Sequence, residues 1–197
     1  MLARSIVSLA LAVTVSAIVS SVAGARVFYA REEVQDLAFP GATRMEAMEF
    51  FLTGDQRAEI ERESRAAVES DLITAYAGYA GDTLLGYAFI DTHQVRTLPE
   101  TFLVVVDADG KVLNTYVLAF YEPLEYLPAD RWLSQYQGAQ LTNDLRVGSR
   151  IAGITGSTLT AEAINGGIRR ALAIHSVLIA RQAESGKRVA MGAGDGQ

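Results

Sequence analysis

The sequence predicts an α+β fold: an antiparallel sheet packed with helices, preceded by one N-terminal transmembrane or signal helix. Three observations carry this prediction. Segments rich in aromatic and β-branched residues follow one another between residues 73 and 120, with turn residues between them. An apolar stripe at helical spacing then runs through Ile164, Ile168, Leu172 and Leu178 or Ile179. Ahead of both lies an apolar run without charge, Ile6 to Ala23.

That first run is about long enough to cross a bilayer core of roughly 30 Å as a helix. Arg4 and the free amine flank it on the N-terminal side, and the next charge is Arg26. By the positive-inside tendency, the rest of the chain lies outside the cytoplasm. Ala23-Gly24-Ala25 is a small-x-small pattern of the kind a signal peptidase cuts. Residues 1–25 are therefore either a membrane anchor or a signal peptide. The first reading places the domain on the periplasmic side of the inner membrane, and the second releases it into the periplasm. A buried helix of a soluble domain is the remaining alternative, and position, flanking charge and cleavage pattern all argue against it.

Residues 26–70 read as a linker with short helices, interrupted at Phe39-Pro40-Gly41-Ala42. Asp55 is placed to cap a mostly polar helix through Arg57, Ile60 and Arg65. The acids from Glu59 to Glu69 are mixed with arginines, as on a solvated face laced with ion pairs. Residues 71–184 form the main domain. Its strands are Ile73 to Tyr79, Leu84 to Ile90, Phe102 to Val106 and Val112 to Phe120, with a hairpin turn at Asp107-Ala108-Asp109-Gly110. Glu122-Pro123 and Leu127-Pro128 frame a loop. Asp130 can cap a short helix containing Trp132 and Leu133, and Thr160 opens the long helix. The tail, 185–197, is rich in glycine and polar residues and reads as disordered.

Composition narrows the function. A chain of 197 residues, half of them hydrophobic, holds one domain with a substantial core and a short appendage. A net charge of -6 and the lack of a basic stripe argue against a general nucleic-acid binder. The absence of cysteine rules out c-type haem attachment, cysteine-ligated iron–sulfur clusters and thiol redox motifs. With two histidines, His93 and His175, a metal site would lean on carboxylates. Redox chemistry on this chain would come from an organic cofactor.

The stretch that carries chemistry is Thr155-Gly156-Ser157-Thr158-Leu159-Thr160, a hydroxyl-rich turn running into a helix. Free backbone N–H groups and the positive end of a helix dipole suit a phosphate. Gly156 allows close backbone approach, and Thr158 offers a hydroxyl that can hold phosphate covalently. The turn has no lysine and no long glycine spacing, so it is not a P-loop. The same residues also suit plain helix capping, with Glu162 in the first turn.

Thr155-Gly156-Ser157-Thr158 resembles the (Ser/Thr)-Gly-Ala-Thr signature of the FMN-binding domain family. That family includes the covalent-FMN subunits of sodium-translocating NADH:quinone reductase and of Rnf-type electron-transport complexes. Gly86-Tyr87-Ala88-Phe89, the hairpin around Asp107-Ala108-Asp109-Gly110, and Ala119-Phe120-Tyr121-Glu122-Pro123 follow the family's order as well. The resemblance spans about residues 70 to 182, and its Thr-Gly-x-Thr portion is the specific part.

The resemblance implies FMN held as a phosphoester on Thr158, installed by a flavin transferase. It also implies an electron-transfer subunit with membrane redox proteins as partners. Thr155, Gly156, Ser157, Leu159 and Thr160 would shape the phosphate turn, with Tyr121 and Glu122 near the ring. This chain departs at Ser157, where the family usually has Ala, and at Ala152, where it usually has an acid that the transferase recognises. The departure at Ala152 leaves a second reading open: a flavin-free accessory subunit of a membrane complex.

Three other residues have structural or functional readings. Trp132 reads first as core packing, with a place in a flavin wall as the alternative. His93, in the polar cluster Asp91 to Arg96, reads as part of a solvated turn or a functional loop. His175 reads as structural.

Overall fold

Six strands form one antiparallel sheet in the computed structural model, which describes residues 26–29, 33–95 and 97–183. They are β1 (Arg26–Val27), β2 (Arg44–Phe51), β3 (Leu72–Ala80), β4 (Thr83–Gln94), β5 (Pro99–Val106) and β6 (Val112–Phe120), in spatial order β1-β6-β5-β4-β3-β2. The helices are α1 (Glu33–Ala38), α2 (Gly54–Ser64), α3 (Asp130–Leu133) and α4 (Thr158–Ile174), and α4 continues as a π-helical segment, His175–Ala180. The expected α+β architecture with an antiparallel sheet is present. The apolar run Ile6 to Ala23 and the tail lie outside the described residues. Among the described residues, no helix is long and apolar enough to cross a membrane.

β3 to β6 are the four segments whose aromatic and β-branched content marked them as strands. The stretch from 26 to 70 differs from expectation. Instead of linker and short helices alone, it supplies both edge strands of the sheet. β2 pairs with β3 along its whole length, from Arg44 opposite Tyr79 to Phe51 opposite Leu72. Its Met, Glu and Ala residues carry little strand propensity, so the pairing with β3 imposes the conformation. The cap of α2 also shifts from Asp55 to Thr53. Thr53 Oγ1 accepts from the Gln56 N–H at 3.2 Å, and the Gln56 side chain accepts from the Thr53 N–H at 2.9 Å, a reciprocal capping box.

The sheet is buried on both faces, which explains why Leu103 to Val106 form an unbroken apolar run in β5. On the larger side, Phe102, Val104 and Val106 pack with Ile164, Ile168 and Leu172 of α4 and Ile60 of α2. Val34, Ala38 and Phe39 close the thinner side over Ala88, Leu103 and Val105. Each large apolar side chain fully buried this way contributes roughly 1.5–3 kcal/mol. Gly167 lets α4 sit deep: a Cβ there would lie 2.2 Å from Phe102 Cζ and 2.5 Å from Asp91 Oδ2. Three residues on, the Arg170 guanidinium bonds both Asp91 oxygens at 2.7 Å, pinning the helix to β4.

Candidate functional site

The hydroxyl-rich turn lies at the N-terminus of α4. The Ser157 N–H donates to the Ile154 carbonyl at 3.1 Å and closes the turn over Thr155 and Gly156. Gly156 has φ of 82°, with nothing within 4 Å of where a Cβ would sit, so conformation rather than crowding requires glycine there. The helix begins at Thr158, two residues before the expected start at Thr160. Residues of the turn therefore divide by face: Ser157 and Thr160 are buried, while Thr155, Gly156, Thr158 and Leu159 are exposed.

This division bears on the capping reading. Ser157 occupies the N-cap position, but its side chain makes no capping hydrogen bond. Glu162 lies beyond the first turn, which contains no acidic residue. The orphan N–H groups and the half-positive dipole end of a 17-residue helix thus meet no side-chain anion in that turn. A hydroxyl-rich sequence that would ordinarily cap its own helix leaves these donors to another acceptor.

Beside the turn is a cleft of about 490 Å³, lined by Arg131, Trp132, Gln135, Ala152, Ile154 and Thr155 among others. Its two walls are stitched together through one residue. Trp132 Nε1–H donates to the Ala152 carbonyl at 2.6 Å, and the Ala152 N–H donates to Gln135 Oε1 at 2.9 Å. The Trp132 ring meets Tyr136 edge to face, with centroids 5.6 Å apart. Asn165 of α4 in turn donates to the Tyr136 hydroxyl at 3.1 Å and to the Leu145 carbonyl at 3.3 Å. The cleft wall and the helix that begins at Thr158 are therefore joined through the Trp132–Tyr136 ring contact and the buried Asn165–Tyr136 hydrogen bond. Trp132 is both buried and a lining residue, so its two sequence readings are compatible. Arg131 and Gln135 were missed; Gln135, three residues after Trp132, carried the only available signal, its helical spacing.

Glu122 is employed elsewhere. It is buried, and its Oε1 accepts from the N–H groups of Thr97 and Leu98 at 3.0 and 3.1 Å, fixing the turn between β4 and β5. Tyr121, beside it, is half-buried. The turn at Thr155 is thus brought together with Trp132 and Gln135, whereas Glu122 serves the turn after β4.

A second polar cluster joins β4, β5 and α4. His93 Nδ1 lies 3.0 Å from Asp91 Oδ2, and its Nε2 is 3.7 Å from Glu100 Oε2. Glu100 is completely buried, and among the described residues neither of its carboxylate oxygens has a hydrogen-bond partner. Burial pushes Glu100 above the usual carboxylate range. For His93, burial alone would lower the pKa, but the Asp91 and Glu100 carboxylates outweigh it and raise it to about 9. Asp91 and His93 therefore belong to a largely buried ion-pair network at the end of β4 rather than to a solvated turn, while Thr92 and Gln94 between and beside them are exposed. His175 is buried in the π-helical segment against the Tyr87 ring, and burial holds its pKa down, in keeping with a structural role.

Compared with models of known protein families, the sequence matches none, and no curated protein is significantly similar to it. The functional reading therefore rests on the geometry of the turn and cleft and on the resemblance of Thr155-Gly156-Ser157-Thr158 to the FMN-binding signature.

Proposed function

We propose that this chain is an exported, membrane-associated electron-transfer protein that carries FMN as a phosphoester on Thr158. The observation that carries the reading is the first turn of α4: an exposed threonine hydroxyl at the first helical position, uncapped N–H donors, and open space at Gly156. A phosphate is the group this arrangement accommodates, and the adjacent cleft with its indole wall suits a planar aromatic ring. FMN, when bound, supplies one- and two-electron redox chemistry. The residues present fit that group.

In this reading, the Thr158 hydroxyl would supply the oxygen that bonds to phosphorus, displacing the leaving group of an activated flavin donor and releasing its proton to solvent. A flavin transferase would catalyse this transfer, with the activated flavin as its co-substrate. The N–H groups of the first turn would hold the phosphate oxygens, and the buried Ser157 and Thr160 anchor the turn from its inner side. Trp132 and the Ala152–Thr155 segment, which line the cleft, would orient the ring and shield it from water. A covalent tether suits a cofactor carried outside the cytoplasm, and the partners would be membrane redox proteins.

The flavin-free accessory subunit is the second reading, and Ala152 favours it: no acid stands three residues before Thr155. Co-expression with a flavin transferase, followed by intact mass measurement, separates the two. The expected product is heavier by one FMN less one water, and its in-gel fluorescence disappears in Thr158→Val. An unmodified mass, with transferase activity verified on another substrate, would reject the covalent flavin.

A further inference from the structure

Among the described residues, Arg169 of α4 is a buried cation without an anionic partner. It is 3% exposed, and its hydrogen bonds run to neutral carbonyls: Nε to Ser64 at 2.6 Å, Nη2 to Glu63 at 2.8 Å, and Nη1 to Thr142 and Leu145 at 2.7 and 3.1 Å. These four bonds leave one of the five guanidinium N–H groups unused. The Glu63 and Ser64 carbonyls belong to the C-terminus of α2, whose dipole supplies about half a negative charge. Among the described residues, the charged side chains that perturb Arg169 most are two cations, Arg65 and Arg146. Burial first, and then Arg65 and Arg146, lower its hold on its proton. A buried charge is ordinarily paired.

The missing charge has a place to bind. Arg169 lines an open groove of about 520 Å³ together with Arg62, Glu63, Arg65, Thr142 and Asn143. Arg65, in the left-handed conformation at the end of α2 (φ 58°), donates from Nη2 to Asn143 Oδ1 at 3.1 Å, linking the helix end to the 141–143 loop. The acids nearby have other partners: Glu63 lies 3.8 Å from Arg181, and Glu59 is paired with Arg181 and Arg62. The groove thus presents guanidinium groups from two elements and the Asn143 amide, on a chain whose net charge is -6. Guanidinium forks match the oxygens of phosphate groups.

We infer that this groove is a binding site for a phosphate-bearing anion, with Arg65 and Arg169 as its anchoring donors. The inference is independent of the flavin reading, because these residues are separate from the Thr158 turn. A free phosphate compound and a phospholipid headgroup share the required chemistry.

The test is isothermal titration of the full chain in non-ionic detergent, at constant ionic strength, with pyrophosphate and with dihexanoyl phosphatidic acid below its micellar concentration. One saturable site per chain is expected for at least one probe, and Arg65→Gln should weaken it at least tenfold. Arg44→Gln, on edge strand β2, should leave it unchanged. Tighter binding of the lipid assigns the site to a headgroup; equal or tighter binding of pyrophosphate assigns it to a free phosphate compound. Arg169→Gln also removes the cap of α2 and can impair folding, so exposed Arg65 carries the test. Absence of saturable binding of both probes overturns the inference. So does binding that survives Arg65→Gln, as it would at the Thr158 turn, or an equal loss in Arg44→Gln.

Discussion

Replacing Gly167 by alanine is expected to destabilise the protein, whereas the same change at Gly166 is expected to stabilise it. Both glycines lie inside α4, where alanine is favoured over glycine by roughly 0.5–1 kcal/mol. Surroundings reverse the sign at one of them. A Cβ at Gly166 would be 3.6 Å from Ala66 Cβ, an ordinary contact. At Gly167 it would lie 2.2 Å from Phe102 Cζ and 2.5 Å from Asp91 Oδ2, where non-bonded carbons normally stay about 3.5–4.0 Å apart.

Neither neighbour can easily give way. Phe102 is fully buried, and Asp91 is held by Arg170 and His93. Either α4 withdraws by more than about 1 Å or the core repacks, at roughly 1–3 kcal/mol or more. Less the propensity gain, Gly167→Ala should lose about 2 kcal/mol. In a domain of this size that lowers the melting temperature by about 4–8 °C, while Gly166→Ala should raise it by about 2 °C. Urea unfolding of the full chain, followed by the emission of Trp132, the one tryptophan, measures both. Equal stabilisation by the two substitutions would refute the close approach of α4 to β5 and the position it gives Thr158.

Three further outcomes are expected. Flavin attachment should quench Trp132 emission, because that indole lines the cleft beside the Thr155 turn; unchanged emission in fully modified protein would place the ring elsewhere. Trp132→Phe removes the donor to the Ala152 carbonyl and should cost about 1 kcal/mol in urea unfolding, with no loss counting against that bond. Stability should also depend on pH through His93. Its folded pKa of about 9 exceeds the unfolded 6.5, so its contribution is full below pH 6.5 and is lost as pH rises through about 9, on the order of 3 kcal/mol in all. His93→Gln should flatten stability across that window, and an unchanged slope would exclude His93 as its source.

The departure at Ala152 is also open to test. The residue is exposed at the rim of the cleft, and both of its backbone polar groups are already engaged. Ala152→Asp should therefore fold normally and raise flavin occupancy if the missing acid limits modification. Unchanged low occupancy, measured by intact mass, would reject that explanation.

Local patterning made much of this molecule legible. β3 to β6 carry the side chains that fit a pleated, buried surface, and the stripe from Ile164 to Leu172 has the period of a helix, so their types followed from residues close in sequence. The glycine-containing, hydroxyl-rich turn before the long helix was visible for the same reason. What depended on distant partners was not. β2 is a strand because β3 lies beside it. Arg169 and Glu100 are buried because elements far apart in sequence close around them, and charged residues are ordinarily read as surface. At the candidate site, the sequence marks Thr158 as a hydroxyl near a helix start. That Ser157 turns inward without capping the helix, and that Trp132 and Gln135 grip Ala152 across a cleft, depends on packing between segments some twenty residues apart. Hydrogen-bond direction and burial are properties of the assembled core, so only the folded chain decides them.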